Sequence, residues 1–114
     1  MGSDELKELV VDAVDDRKGQ QITVLDVRHL TEMTDWMIVA SGSSSRQVRA
    51  IAEHVVERAK AVGESIGGME GEESGDWVLV DLFGVVLHVM LPETRDFYRI
   101  EELWSKGKPA AERG

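Results

Sequence analysis

WMIVASGSSSRQVRAIAEHVV occupies residues 36–56, and the reading of its two halves decides the fold. WMIVAS (36–41) is a short apolar run, as expected of a buried strand. From Ser44 onward Val48, Ile51, Ala52, Val55, Ala59 and Val62 recur at the spacing of one helix face, and Gly63 stops them. A strand that turns straight into an amphipathic helix predicts a sheet covered by helices. The junction itself is small and hydroxyl-rich. Such a turn at a helix N-terminus can hold a phosphate. Ser44 followed by Gln47 also has capping-box spacing, in which each side chain satisfies an orphan backbone N–H. A P-loop would need Gly-Lys-Ser/Thr where Arg46 and Gln47 stand. A nucleophile elbow would need glycine where Arg46 follows Ser44 by two. A nucleotidyltransferase would place Asp-x-Asp on the next strand to hold magnesium, but Asp81 is followed two residues on by Phe83. The capped helix is the better reading, and no catalytic residue, cofactor or metal site is expected.

Outward from this unit, Leu6, Leu9, Val10, Ala13 and Val14 mark a first amphipathic helix, with Gly19 as its stop. ITVLDV (22–27) reads as a strand and RHLTEMTD (28–35) as a loop. GESIGGMEGEESGD (63–76) holds five glycines and five acids, a mobile acidic loop with room for a short strand near Ile66–Met69. WVLVDL (77–82) and VVLHVML (85–91) form a hairpin. Pro92 opens one last helix through PETRDFYRIEELW, and the remaining tail is expected to be disordered. The expected fold is therefore a single α/β (α+β) domain over residues 1–104, followed by the tail 105–114. Its order is α-β-β-α-β-β-α, a mixed β-sheet flanked by helices.

The chain has 114 residues, 22 acids against 13 bases and no cysteine. A hydrophobic share of 42% beside a charged share of 31% predicts a folded chain. The absence of thiols excludes disulfides and cysteine chemistry and suits a cytoplasmic setting. No apolar run approaches the ~20 residues of a membrane span. The net charge of −9 is the wrong sign for binding nucleic acid directly and favours basic partners.

His29, His54 and His88 fall on a loop, a helix and a strand, with no further ligand at metal spacing. Asp81 and His88 could meet across the hairpin as a cross-strand pair. The hairpin tip is unusual. Asp81-Leu82-Phe83-Gly84 puts two large apolar residues where turns carry polar ones. Trp77, Leu79 and Asp81 share one strand face, which Val86, His88 and Met90 continue on the partner strand. This mixture of apolar and polar side chains suits a contact surface. It also fits Trp77 and Leu82 packing under a neighbouring helix.

TDWMIVASGSSSRQVRAIAEHVVE (34–57), MEGEESGDWVLVDL (69–82) and HVMLPETRDFYRIEELW (88–104) resemble, in order and spacing, the ribosomal silencing factor family, also called Iojap. The resemblance spans residues 5 to 105. It implies a nucleotidyltransferase-like fold without the catalytic carboxylates, and a translational repressor rather than an enzyme. The implied partner is large-subunit ribosomal protein L-fourteen, at the face where the small subunit docks. Subunit joining would be blocked sterically when nutrients are short. Trp77 and Leu82 match the family's partner surface. Phe83, Asp81, His88 and Met90 complete the expected contact set, and a homodimer is expected when the protein is free. The family's usual Gly-Asp after Leu82 is replaced here by Phe83-Gly84. A nucleotidyltransferase-type enzyme and an adaptor for a non-ribosomal basic protein are the competing functions.

Overall fold

The computed structural model describes residues 1–105, so the tail predicted beyond the last helix lies outside the described residues. The order is α1 (Ser3–Asp16), β1 (Gln20–Asp26), β2 (Trp36–Ser41), α2 (Ser45–Ala61), β3 (Gly68–Glu70), β4 (Trp77–Asp81), β5 (Val85–Met90), α3 (Pro92–Tyr98) and α4 (Ile100–Ser105). The five strands form one mixed sheet in the order β1-β2-β5-β4-β3. Only β2 and β5 run parallel, and the other pairs are antiparallel. The helix of the strand-to-helix unit therefore carries the chain from β2 to β3 at the far edge, and the antiparallel β3–β4 and β4–β5 returns bring it back beside β2; the mixed, helix-covered sheet is as predicted.

Period-two alternation sorts the sheet into two faces. Ile38, Ala40, Val78, Val80, Leu87 and Val89 point to one face, where α1 and α2 supply Leu6, Val10, Val14, Val48, Ile51 and Val55. All these residues are buried. On the other face α4 closes over the β1–β2 half. Ile100 is buried there with Val27, Met37, Val39 and Met90, and Trp104 packs against them.

The helix ends follow local rules with two departures. Both α1 and α2 close in Schellman motifs. In α2, Gly63 sits at φ +83°, its N–H bonds Lys60, and the Glu64 N–H bonds Ala59. In α1 the left-handed position falls to Lys18 at φ 65°, not to the predicted stop Gly19, whose N–H instead reaches back to the Val14 carbonyl. The predicted final helix is two helices. Arg99 takes a left-handed conformation at φ 48°, ψ 49°, which ends α3 and sends α4 back across the sheet. Arg95 stabilises this reversal. Its guanidinium donates to Ser41 Oγ and Thr23 Oγ1, each at 2.9 Å, and pairs with Glu101 on α4.

Candidate functional site

The turn at 42–46 is built as a cap. The Gln47 N–H donates to Ser44 Oγ at 3.1 Å, the expected half of a capping box. The reciprocal half is displaced by one residue. Gln47 Oε1 accepts from the N–H and the hydroxyl of Ser43, at 2.6 and 2.8 Å, rather than from Ser44. Gln47 Nε2 then reaches the Arg17 and Lys18 carbonyls at 3.2 Å, so one side chain finishes two helices. Gly42 is required because a Cβ there would lie 2.9 Å from Val48 Cγ2 and 3.0 Å from Val48 N. These polar groups already serve one another. Asp81, the lone carboxylate of the nucleotidyltransferase comparison, accepts the Phe83 N–H at 2.8 Å within its own turn. Among the described residues no cluster of side chains could hold a metal ion, and no helix is long and apolar enough to cross a membrane.

The sheet face opposite α1 and α2 is different over its β4 side. Trp77, Leu79, Asp81 and Val86 are only half-buried there, since α4 covers the other half. Their alternation along β4 and β5 puts them on one surface, as the sequence predicted. At its upper end α3 adds Phe97, 79% exposed, and Tyr98, 54% exposed. The Tyr98 ring lies 5.0 Å from that of Trp77 at 49°, and Phe97 meets Tyr98 edge-on at 4.9 Å. These three aromatics line a shallow pocket of about 400 Å³ with Ser74, Asp76, Glu93 and Thr94. Its charged groups are both carboxylates.

Beneath Trp77 lies His88, 7% exposed. The Trp77 indole N–H donates to His88 Nδ1 at 2.9 Å. An indole nitrogen can only donate, so His88 Nδ1 carries no proton and the ring is the neutral Nε2–H tautomer. Burial pushes the His88 pKa down to about 4, against the opposing charge of Glu101. The predicted Asp81–His88 pair does not form. The register sets His88 opposite Leu79, and of its two diagonal neighbours it is Trp77, not Asp81, that bonds the imidazole.

Three of the six expected contact residues are not on the surface: His88, just described, Leu82 and Met90. Leu82 is 2% exposed and belongs to the α1–α2 core with Leu6. By strand parity it follows Val78 and Val80 inward, and the hairpin tip folds against the start of α1, where Leu82, Leu6 and Ser3 line one depression. Met90 shares the parity of Trp77 but is fully buried in the cluster that Ile100 closes. Phe83 is 57% exposed at the turn. Its φ of 68°, with Gly84 outside that region, puts a phenylalanine at the first central position of a hairpin turn that favours glycine. Phe97 and Tyr98 were not foreseen. Their signal is an aromatic pair in a seven-residue helix with no buried residue of its own.

The family model described as ribosomal silencing factor during starvation matches residues 1–113. The chain belongs to the ribosomal silencing factor family. A ribosomal silencing factor of Chromobacterium violaceum is 50% identical over 106 residues, 93% of this chain and 87% of its own length. A crystal structure of a protein from that organism superposes with a TM-score of 0.91 at 50% identity, covering 96% of this chain and 91% of that one. A Bacillus halodurans crystal structure gives 0.82 at 39% identity over 89% of this chain and 94% of its own. A mouse protein named for mitochondrial assembly of the ribosomal large subunit is 31% identical over 86% of this chain, which spans 44% of that relative. Family membership agrees with the strand order and helices described above.

Proposed function

We propose that this chain represses translation by docking on the large ribosomal subunit, on its protein L-fourteen, and sterically blocking the joining of the small subunit when nutrients are short. The observation that carries the proposal is the open half of the sheet, crowned by Trp77, Tyr98 and Phe97. Exposed aromatics grouped around a partly buried tryptophan are the composition of a binding hot spot. The pocket's carboxylates, Asp76 and Glu93, together with the net charge of −9, select a basic protein surface and disfavour bare phosphate backbone. The family name, and the printed name of the mouse relative, point to the ribosome and its large subunit. No turnover is required, because a folded domain on the joining surface is itself the block. Asp81 and Phe83 extend the contact at the lower end of the same face. When no partner is bound, two copies would cover this apolar face by meeting on it.

The experiment is co-sedimentation with isolated large subunits, followed by a gradient after small subunits are added. The protein is expected in the large-subunit fraction, with the joined fraction reduced. Tyr98→Ala should weaken both effects. Absence of the protein from that fraction, with joining unchanged, would end this reading.

A further inference from the structure

We propose that His88 is a positioning residue, whose Nδ1 holds the Trp77 indole in the orientation that forms the docking platform with Tyr98. The inference rests on the docking function proposed above and names what keeps its surface in register. The Trp77 indole has two side-chain torsions to fix; it packs against the buried cluster around Met90, but its exposed part is held only by what lies at its edge. Tyr98, the ring packed on it, belongs to a short helix with no buried residue and is itself half in solvent. His88 is the opposite case. It sits on β5 between β2 and β4, paired with Val39 on one side and Leu79 on the other. Its side chain is almost wholly enclosed. The 2.9 Å bond therefore ties a half-exposed ring to an enclosed one. The rings meet at 51° with centroids 5.8 Å apart, so the histidine lies beside the indole rather than covering it, and the tryptophan's outer surface is left to a partner. Fixing an interface side chain before contact removes the cost of ordering it on binding.

The test uses the full chain, three single variants and one double variant. In the free protein, solvent exchange of the Trp77 indole N–H is followed by NMR. In parallel, affinity for isolated large subunits is measured. His88→Leu cannot accept the bond, His88→Gln keeps an acceptor, and Trp77→Phe removes the donor while keeping a ring. Leucine at 88 is expected to expose the indole N–H to fast exchange and to weaken binding about tenfold, the size of one lost buried hydrogen bond. Glutamine should restore most of both. In the Trp77→Phe background, His88→Leu should cost nothing further. Unchanged indole protection in folded His88→Leu, or losses that simply add in the double variant, would overturn the positioning role. If the unaltered protein does not bind large subunits, the proposed function falls, and indole exchange alone decides for or against the role of His88.

Discussion

At the scale of single residues, burial removes from the contact face a side chain that the sequence placed there and adds one that it did not. Leu82 is core and Tyr98 is surface. Leu82→Ala should destabilise the fold by about 2–4 kcal/mol, as expected of a truncated core leucine, and leave the affinity of the folded fraction unchanged. Tyr98→Ala should move stability by no more than about 1 kcal/mol, the worth of an aromatic pair, yet weaken large-subunit binding. Denaturation and sedimentation of the two variants side by side check both. His88 gives a further expectation. Its folded pKa of about 4 lies below the ordinary value of 6.5, so between these pH values the unfolded chain holds more protons. Stability is therefore complete above about pH 6.5 and falls on acidification, by about 2 kcal/mol at pH 5. His88→Gln should flatten that part of the curve of melting temperature against pH, and an equally steep fall in the variant would assign the loss to other groups. Leu82 was legible in principle, because it continues the inward series Val78, Val80. The sequence held that reading open, with Leu82 packing under a neighbouring helix, beside the contact role that the resemblance implied.

At the scale of elements, caps and turns carry the testable content. Ser44→Ala removes the acceptor for the Gln47 N–H and should destabilise by about 1 kcal/mol. Nucleotide with magnesium should leave the melting temperature of the unaltered protein where it is. A saturable rise would restore the phosphate reading of residues 42–46. The β4–β5 turn carries strain that the residue type makes visible. Phe83→Gly relieves a left-handed phenylalanine and gives back some of the gain as unfolded-state entropy, for a net stabilisation of up to about 1 kcal/mol by chemical denaturation. The split of the last helix was not legible. Nothing in PETRDFYRIEELW breaks a helix by propensity. Arg99 adopts its left-handed conformation within a reversal that Arg95 ties to Thr23 and Ser41, residues more than fifty positions away.

At the scale of the whole molecule, charge and shape act together. A domain of net charge −9 should approach a basic surface faster than a neutral one, and salt should weaken that attraction. Raising the salt concentration should therefore lower the affinity for large subunits, chiefly through a slower association rate. A rate indifferent to salt would leave the aromatic platform as the whole of the recognition. The proposed block also depends on bulk. The described residues fold as one five-stranded sheet with helices on both faces. Such a body on the joining surface excludes the other subunit without any chemistry.

The sequence by itself determined the strand-to-helix unit, four of the five strands to within a few residues with room for the short β3, the two amphipathic helices and the shared face of Trp77, Leu79 and Val86. Periodicity and capping are local, and each is written within a few residues of where it acts. The tertiary structure alone decided which half of that face stays open. Met90 and Trp77 have the same parity on adjacent strands, but α4 returns across the sheet to bury the first and leaves the second half-exposed. It alone chose Trp77 over Asp81 as the partner of His88: both are diagonal neighbours across the Leu79–His88 pair, and the Asp81 carboxylate turns instead to the Phe83 N–H. It also brought Tyr98 and Phe97 against Trp77, from a helix whose own sequence gives no face to bury. Burial and register are properties of elements meeting, and the length of chain between those elements carries no sign of either.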